Sequence, residues 1–316
     1  MLYRSGIQKW RNMAKQKPEK RPLRLKKGDA VGIVAPASHF DPETFHKGIA
    51  VLETMGFNPV MDGGLYEKEN YFAGPDEHRA DLINRYFSDK KIRAIICARG
   101  GFGSIRILSL LDFRSIQANP KCFVGFSDIT AVLSALYQKC GFTVFHGPNV
   151  TSLAKATRKT KDAFYSALAT DRPVRIKAQK GIVLKLGAAS GKVVGGNLTT
   201  LCHLLSTPYQ SDFSDRILFL EDTGEAPYRI DRMLTQMKLA GCFDSIVGLV
   251  LGTFRGCGRK DEIYRIVFDV FQQYDIPMLT GLPVGHGQSN LMVPMGLTAT
   301  MDTDLKELMF LEPATA

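Results

Sequence analysis

The feature that most constrains this chain is the alternation of apolar runs with amphipathic segments in its first half. The runs AVGIV, IRAIIC, CFVGF and FTVFH are separated by segments with helical periodicity. Strands that are apolar on both faces indicate a parallel sheet covered by helices on both sides. The sequence therefore predicts an α/β fold with a ligand site at the carboxyl ends of its strands.

A polar, basic interval divides this first unit from a second alternation of strands and helices. We predict four parts: a basic extension over residues 1–27, an N-terminal α/β domain over 28–152, a linker over 153–186, and a second α/β domain over 187–316. The final segment LTATMDTDLKELMFLE is typical of a β-hairpin that turns at Asp302-Thr303-Asp304.

The net charge of +10 is concentrated in the basic extension. The extension contains ten basic side chains and one acidic side chain, so the remaining residues are nearly neutral. Nucleic-acid-binding domains usually carry a basic face on the folded body, so we expect no nucleic-acid partner. Contact of the extension with RNA or with an anionic membrane surface stays open.

Two further observations concern the compartment. No run of 18 or more apolar residues is present, so we expect no membrane span. The extension lacks the apolar core of a secretory signal, and none of the six cysteines forms a CxxC pair or a zinc spacing. These features predict a reduced, cytoplasmic location and give no indication of a metal site.

The stretch FVGFSDIT places Ser127 where a strand turns into a helix. A serine at such a position is most often a helix N-cap. The frame Gly-x-Ser also resembles the nucleophile elbow Gly-x-Ser-x-Gly, although Ile129 occupies the place of the second glycine. A nucleophile would need a base and an acid elsewhere, and the N–H of Asp128 would be an oxyanion donor.

Candidate partners for such a serine lie at other strand ends. The loop ARGGFGS is compatible with a phosphate cradle, with an oxyanion donor or with a tight turn. Glu221 and Asp222 end the apolar strand RILFLED, although Asp222 would also suit a helix cap. Among six histidines, His286 is the best base candidate because glycines flank it on both sides.

Together these motifs resemble the LD-carboxypeptidase family of serine peptidases. The resemblance covers nearly the whole chain outside the basic extension and rests on GDAVGIVAPAS, IRAIICARGGFGSIRIL, FVGFSDIT, LFLEDTGEAPYRIDRML and PVGHGQSNLMVPMG in this order. It implies that Ser127 is the nucleophile, His286 the base and Glu221 the acid. It also implies an oxyanion hole formed by the N–H groups of Gly101 and Asp128.

The resemblance further implies the reaction and its partners. The bond cleaved joins the L-centre of a diamino acid to the C-terminal D-alanine of a murein peptide, in peptidoglycan recycling, with no metal or cofactor and in a homodimer. Two alternatives remain: a peptidase that gives immunity to a microcin C-type peptidyl-nucleotide, and a non-catalytic module that binds muropeptides, or phosphates through the glycine loop.

Substrate-binding residues are less defined. The family elbow usually has tyrosine where this chain has Phe126. A guanidinium would suit the free carboxylate of the terminal D-residue, because it can form two parallel hydrogen bonds. Arg99 and Arg229 lie at the candidate strand ends, and either one would also serve in a structural ion pair.

Overall fold

The computed structural model of the chain describes residues 20–316, which form two sheets with helices around them. The first sheet contains five parallel strands: β1 (Ala30–Val34), β2 (Asn58–Met61), β3 (Ile92–Cys97), β4 (Cys122–Gly125) and β5 (Val144–His146). Its helices are α1 (Pro42–Thr54), α2 (Asp76–Ser88), α3 (Phe113–Ala118), α4 (Thr130–Cys140), α5 (Val150–Leu153) and α6 (Arg158–Ala169). The predicted parallel sheet is confirmed.

The second sheet has eight strands and mixed directions. They are β6 (Pro173–Lys177), β7 (Val183–Lys185), β8 (Ala188–Asn197), β9 (Arg216–Thr223), β10 (Gly248–Arg255), β11 (Met278–Leu279), β13 (Thr298–Asp302) and β14 (Glu307–Pro313). The helices α7 (Leu198–His203), α8 (Pro227–Leu239) and α9 (Lys260–Phe271) accompany it. β8, β9, β10 and β11 are parallel neighbours, and β13 and β14 form the predicted C-terminal hairpin.

The two sheets are connected more closely than the predicted domain division suggests. The strand β12 (Val293–Met295) lies in the second part of the sequence, but it pairs antiparallel with β5 in the first sheet. The order of the first sheet is therefore β12-β5-β4-β3-β1-β2. The segment 280–292, between β11 and β12, runs from one sheet to the other and carries His286.

Helix α4 packs against the second unit directly after the Ser127 turn. Its residues from Thr130 to Leu136 are buried, as expected for a helix that is apolar on every side. The Thr130 hydroxyl accepts a hydrogen bond from the backbone N–H of Asn197 at 3.1 Å, where β8 leads into α7. The turn that carries Ser127 is thus fixed against the sheet that carries Glu221.

The segment 153–186, which the sequence analysis describes as a linker, contains α6 and the strands β6 and β7. The two strands lie at opposite edges of the second sheet. Edge strands are short and half exposed, so they lack the apolar run by which a strand is identified in a sequence. The polar composition of this interval reflects its edge position rather than an absence of structure.

The predicted basic extension extends too far into the fold. Residues 1–19 lie outside the described part of the chain, whereas residues 20–27 belong to the body. The backbone of Arg24 donates to Ala316 at 3.0 Å, Ala316 donates to Pro22 at 2.9 Å, and Leu25 is 1% exposed. One buried leucine among charged neighbours gives no periodicity, which is why the sequence did not separate this segment from the extension.

Truncation tests this boundary. Deletion of residues 1–19 is expected to leave turnover and the free energy of unfolding unchanged, because the candidate site residues Ser127, Glu221 and His286 all lie in the body. Deletion through residue 25 should lower the free energy of unfolding by at least about 3 kcal/mol, since it removes a buried leucine and four backbone hydrogen bonds. Urea unfolding of both truncated chains measures the difference, and equal midpoints would contradict the assignment.

Among residues 20–316, no helix combines the length and apolar character that crossing a membrane requires.

Candidate active site

Ser127 lies on a strained turn between β4 and α4. Its φ is +65°, a conformation that costs a non-glycine residue about 1 kcal/mol or more. The turn of 3-10 helix at Ser127–Ile129 has no side-chain cap hydrogen bond, and neither has α4. Ser127 is therefore not a helix cap. A strained strand-to-helix turn is the geometry that exposes the hydroxyl of a nucleophile elbow.

The loop after β3 lies directly against this turn. A Cβ atom at Gly100 would be 3.0 Å from the Ser127 Cβ and 3.2 Å from the Phe126 carbonyl oxygen, so a side chain there would crowd the Ser127 turn. Gly101 has a φ of +107° and packs on Ser38, whose hydroxyl accepts the N–H of Phe102 at 3.0 Å. The glycine loop thus brings backbone close to the serine.

Asp128 fixes the far end of this loop to the turn. Its carboxylate accepts the backbone N–H of Ser104 at 2.8 Å, and its carbonyl oxygen accepts the Ser104 hydroxyl at 2.6 Å. Burial raises the pKa of Asp128, and the hydrogen bonds from Ser104 oppose this rise. The carboxylate of Asp128 thus has a structural partner. The group of Asp128 that remains a candidate oxyanion donor is its backbone N–H.

The buried side chain of Arg79 connects three loops near the site. It is 2% exposed and donates to the carbonyl oxygens of Pro36, Gly74 and Gly103, and it pairs with Asp76. Pro36 belongs to the loop after β1, and Gly103 belongs to the glycine loop after β3. A buried guanidinium that satisfies these three carbonyl groups fixes the backbone of all three loops.

Replacement of Arg79 by methionine is expected to lower the free energy of unfolding by about 3 kcal/mol or more. The change leaves three carbonyl groups without their donor and one carboxylate without its buried partner. The matched control is Arg106→Met, because Arg106 also pairs with Asp76 but is 52% exposed. It should cost less than about 1 kcal/mol. Equal losses in urea unfolding would contradict the role given to Arg79.

Glu221 and His286 form a close pair where β9 ends. Glu221 is fully buried, and its Oε2 accepts the Nδ1–H of His286 at 2.6 Å and the backbone N–H of His286 at 3.3 Å. Gly285 has a φ of +90°, and a Cβ atom there would lie 2.3 Å from Glu221 Oε2. The glycine before the histidine is thus required for this contact, and His286 remains 16% exposed.

The turn of Ser127 and the Glu221–His286 pair meet through Phe126. The ring centroid of Phe126 lies 4.9 Å from that of His286. Within residues 20–316, no hydrogen bond joins the Ser127 hydroxyl to the His286 ring. Such contacts are often long in free enzymes and shorten when substrate binds. The structure brings glutamate and histidine into direct contact and places the serine's neighbour against the imidazole.

His146 is the residue of this site that the sequence did not single out. It is fully buried at the end of β5, with its ring 6.0 Å from the Phe126 ring and 5.0 Å from the Phe219 ring. Burial lowers its pKa from 6.5 to about 4, against the opposing charge of Glu221. The motif FHGP puts this histidine at a strand end, but it does not predict that the side chain is buried.

The depressed pKa of His146 predicts a pH dependence of stability. Below pH 6.5 the unfolded chain binds a proton at this residue, whereas the folded chain stays neutral until about pH 4. At about 1.4 kcal/mol per pH unit, this costs the wild type up to about 3 kcal/mol as the pH falls through that window. In His146→Phe, the free energy of unfolding should no longer contain this pH-dependent contribution. The measurement is the urea midpoint of both proteins between pH 7 and pH 4, and an equal change with pH in the two would contradict the prediction.

The two predicted substrate-binding arginines, Arg99 and Arg229, lie on the protein surface. Arg99 is exposed and donates to the carbonyl oxygen of His39 at 2.7 Å, beside Gly100. Arg229 is exposed on α8 and pairs with Glu225 at 3.4 Å. Each thus has a structural partner and a guanidinium face open to solvent. Neither forms a hydrogen bond with the Glu221–His286 pair among the described residues.

The cysteines are buried free thiols, as the sequence suggested for Cys97 and Cys122. Burial raises the pKa of Cys97 and of Cys122, so neither thiol is a ready nucleophile. Among residues 20–316, no group of three or more His, Cys, Asp or Glu side chains is arranged to hold a metal ion.

Comparison with known protein families matches both halves of the chain. Residues 31–147 match the LD-carboxypeptidase N-terminal domain, and residues 190–301 match the LD-carboxypeptidase C-terminal domain. A relative from Bacillus subtilis (strain 168), named a probable murein peptide carboxypeptidase, is 36% identical over 90% of this chain and 92% of its own. The microcin C7 self-immunity protein MccF of Escherichia coli is 27% identical, over 90% and 94%.

Solved structures give the same result. The muramoyltetrapeptide carboxypeptidase from Oxalobacter formigenes superposes with a TM-score of 0.78 at 29% identity, over 89% of this chain and 97% of its own. An MccF-like protein from Bacillus anthracis str. Ames has a TM-score of 0.86 at 25% identity, over 92% and 99%. The chain belongs to the LD-carboxypeptidase family, as the sequence motifs suggested.

Proposed function

We propose that this protein is a serine carboxypeptidase that removes the C-terminal D-alanine from murein tetrapeptides. The observation that carries the proposal is the buried Glu221–His286 pair, which lies beside the strained turn of Ser127. The names of the Bacillus subtilis and Oxalobacter formigenes relatives support the substrate class. Peptidoglycan recycling, a cytoplasmic location and a homodimeric assembly complete the proposal.

In the proposed mechanism, Ser127 Oγ attacks the carbonyl carbon of the LD-amide. His286 Nε2 takes the hydroxyl proton, because its Nδ1–H is held by Glu221 and its other nitrogen is left as the acceptor. The same proton then passes to the nitrogen of departing D-alanine. Water hydrolyses the acyl-enzyme by the reverse roles, and Glu221 stabilises the imidazolium in both steps. No metal or cofactor takes part.

We propose an oxyanion hole formed by the N–H groups of Gly101 and Asp128. The closeness of the glycine loop to Ser127 and the position of Asp128 directly after the serine support this assignment. Each such donor contributes roughly 3 to 4 kcal/mol to lowering the barrier in measured serine peptidases. Both donors belong to backbone that Arg79 and Asp128 hold in place, so no reorganisation is needed during the reaction.

Arg99 and Arg229 are the proposed candidates for the terminal carboxylate of the substrate. Arg99 is adjacent to the glycine loop, and its Nη1 is occupied by His39, which leaves its other N–H groups available. Arg229 would have to leave Glu225 in part. Phe126 lines the site through its ring alone, so any substrate contact that a tyrosine hydroxyl makes elsewhere in the family is absent here.

A second candidate function is hydrolysis of a peptidyl-nucleotide of the microcin C type. The higher TM-score of the MccF-like structure favours retaining this alternative. The experiment compares kcat/KM for UDP-MurNAc-tetrapeptide and for an aminoacyl-sulfamoyl adenosine. We expect D-alanine release to be faster by at least about tenfold. The reverse order would support the immunity function, and binding of the muropeptide without turnover would support a non-catalytic module.

A further inference from the structure

Three buried polar atoms behind the Glu221–His286 pair have no hydrogen-bond partner in the described part of the protein. They are Nδ1 and Nε2 of His146 and Oε1 of Glu221, and both residues are 0% exposed. Leaving a buried polar atom unpaired is costly, and native proteins usually satisfy such groups with one another or with a buried water. Three such atoms in one region therefore call for an explanation.

The unpaired atoms belong to one region. His146 ends β5 between Gly125 of β4 and Val293 of β12, and its ring packs edge-on against Phe219. Phe219 lies two residues before Glu221 on β9, so their side chains point from the same face of that strand. The Phe126 ring contacts both imidazoles. His146 and Glu221 thus approach each other from the first and the second sheet.

The charge state of His146 suits a donor to a carboxylate. Its pKa of about 4 makes the imidazole neutral in the working range, with one N–H donor and one acceptor nitrogen. A neutral imidazole can donate a hydrogen bond to the Glu221 carboxylate without neutralising the negative charge that stabilises protonated His286. The other titratable group beside Glu221 is Asp222, whose carboxylate already accepts hydrogen bonds from Asn197 and Thr199.

We propose that His146 is a positioning residue for Glu221. Its imidazole N–H donates, through one buried water, the hydrogen bond that Oε1 of Glu221 lacks, and it thereby leaves Oε2 directed at His286. Its place on β5 makes the geometry of the pair depend on the first sheet as well as the second. The catalytic part of this inference rests on the proposed function, whereas the structural part does not.

Loss of this donor has a defined electrostatic consequence. Without it, the negative charge of Glu221 is concentrated on Oε2 and attracts the His286 proton more strongly. The pKa of His286 should therefore rise, and the acid limb of kcat/KM should move to higher pH. The carboxylate also loses one of its fixed contacts, so kcat should fall while KM, which reflects substrate contacts elsewhere, changes little.

The test measures the His286 titration by NMR in histidine-labelled protein, assigned with a His286→Gln variant. In His146→Phe we expect an upward shift of about half a pH unit or more and a fall of about tenfold in kcat. His146→Gln, which keeps an N–H donor, should recover most of both effects. The matched control is Phe145→Leu, a buried change on the same strand, which should move neither quantity. An unshifted His286 titration in folded His146→Phe would overturn the proposal.

A measurement on the wild type covers the case in which His146→Phe does not fold. A high-resolution crystal structure should show an ordered water about 3 Å from both Oε1 of Glu221 and a ring nitrogen of His146. Direct contact of other groups with Oε1, or no water between the two residues, would overturn the proposal. Neither the NMR titration nor this structure needs turnover, so a failure of the proposed function would remain distinguishable.

Discussion

Replacement of Ser127 by alanine is expected to lower kcat/KM for D-alanine release by at least about 10⁴-fold. The reason is the loss of the proposed nucleophile, while the proposed backbone donors of the oxyanion hole remain. Because alanine adopts a positive φ no more easily than serine, the free energy of unfolding should change little. The measurement is D-alanine release from a murein tetrapeptide, with urea unfolding in parallel.

The matched control for this change is Ser134→Ala. Ser134 is 1% exposed on α4, and its hydroxyl has no partner among the described residues, so its loss should leave kcat/KM unchanged. The variant Ser127→Gly provides a second test. It should be inactive, but its free energy of unfolding should be higher by about 1 kcal/mol, because glycine tolerates the φ of +65°. Normal turnover in Ser127→Ala would show that Ser127 is not the nucleophile.

Replacement of Glu221 by glutamine is expected to lower kcat by roughly 10³- to 10⁴-fold, with a smaller effect on KM. The amide keeps the shape of the carboxylate but carries no charge to stabilise the imidazolium. It can also place an N–H opposite Nδ1, which favours the wrong tautomer of His286. Steady-state kinetics of D-alanine release between pH 6 and pH 9 measures the loss.

Glu307→Gln is the control for a buried carboxylate outside the site. Glu307 is 6% exposed on β14 and pairs with Arg175 and Lys177, far along the second sheet from β9. Its replacement should affect stability and leave kcat unchanged. A Glu221→Gln enzyme with wild-type kcat would show that the 2.6 Å contact with His286 is structural only.

Much of the fold follows from patterns that are local in the sequence. The apolar strands β1, β3 and β4 and the helices between them are visible as runs and periodicities. Gly125 and Gly285 mark places where the backbone must approach another group closely, and the structure shows which groups these are: Ile129 and Glu221. The position of Ser127 after a strand was visible as well.

Other features depend on pairing between distant segments and leave little trace in the sequence. The edge strands β6 and β7 were interpreted as linker, because half-exposed strands lack an apolar run. The pairing of β12 with the first sheet was not predicted, because a strand of three residues is too short for its sequence to indicate which strand it pairs with. The proposed role of His146 depends on this pairing, so composition and spacing could not indicate it.

The crossing of segment 280–292 between the sheets has a mechanistic consequence. The proposed nucleophile belongs to the first sheet, whereas Glu221 belongs to the second and His286 lies on the segment that joins them. Contacts such as Thr130 with Asn197 therefore influence the distance between serine and histidine. This arrangement distinguishes the site from one in which all three residues follow strands of one sheet.

In the proposed mechanism, Glu221 acts on the reaction only through His286. The measurement that tests it most directly is kcat/KM of Glu221→Gln, of His286→Gln and of the double variant with the murein tetrapeptide. We expect the double variant to be as active as His286→Gln alone, because the glutamate has no function in catalysis once the imidazole is gone. A further loss of 10³-fold or more in the double variant would contradict it.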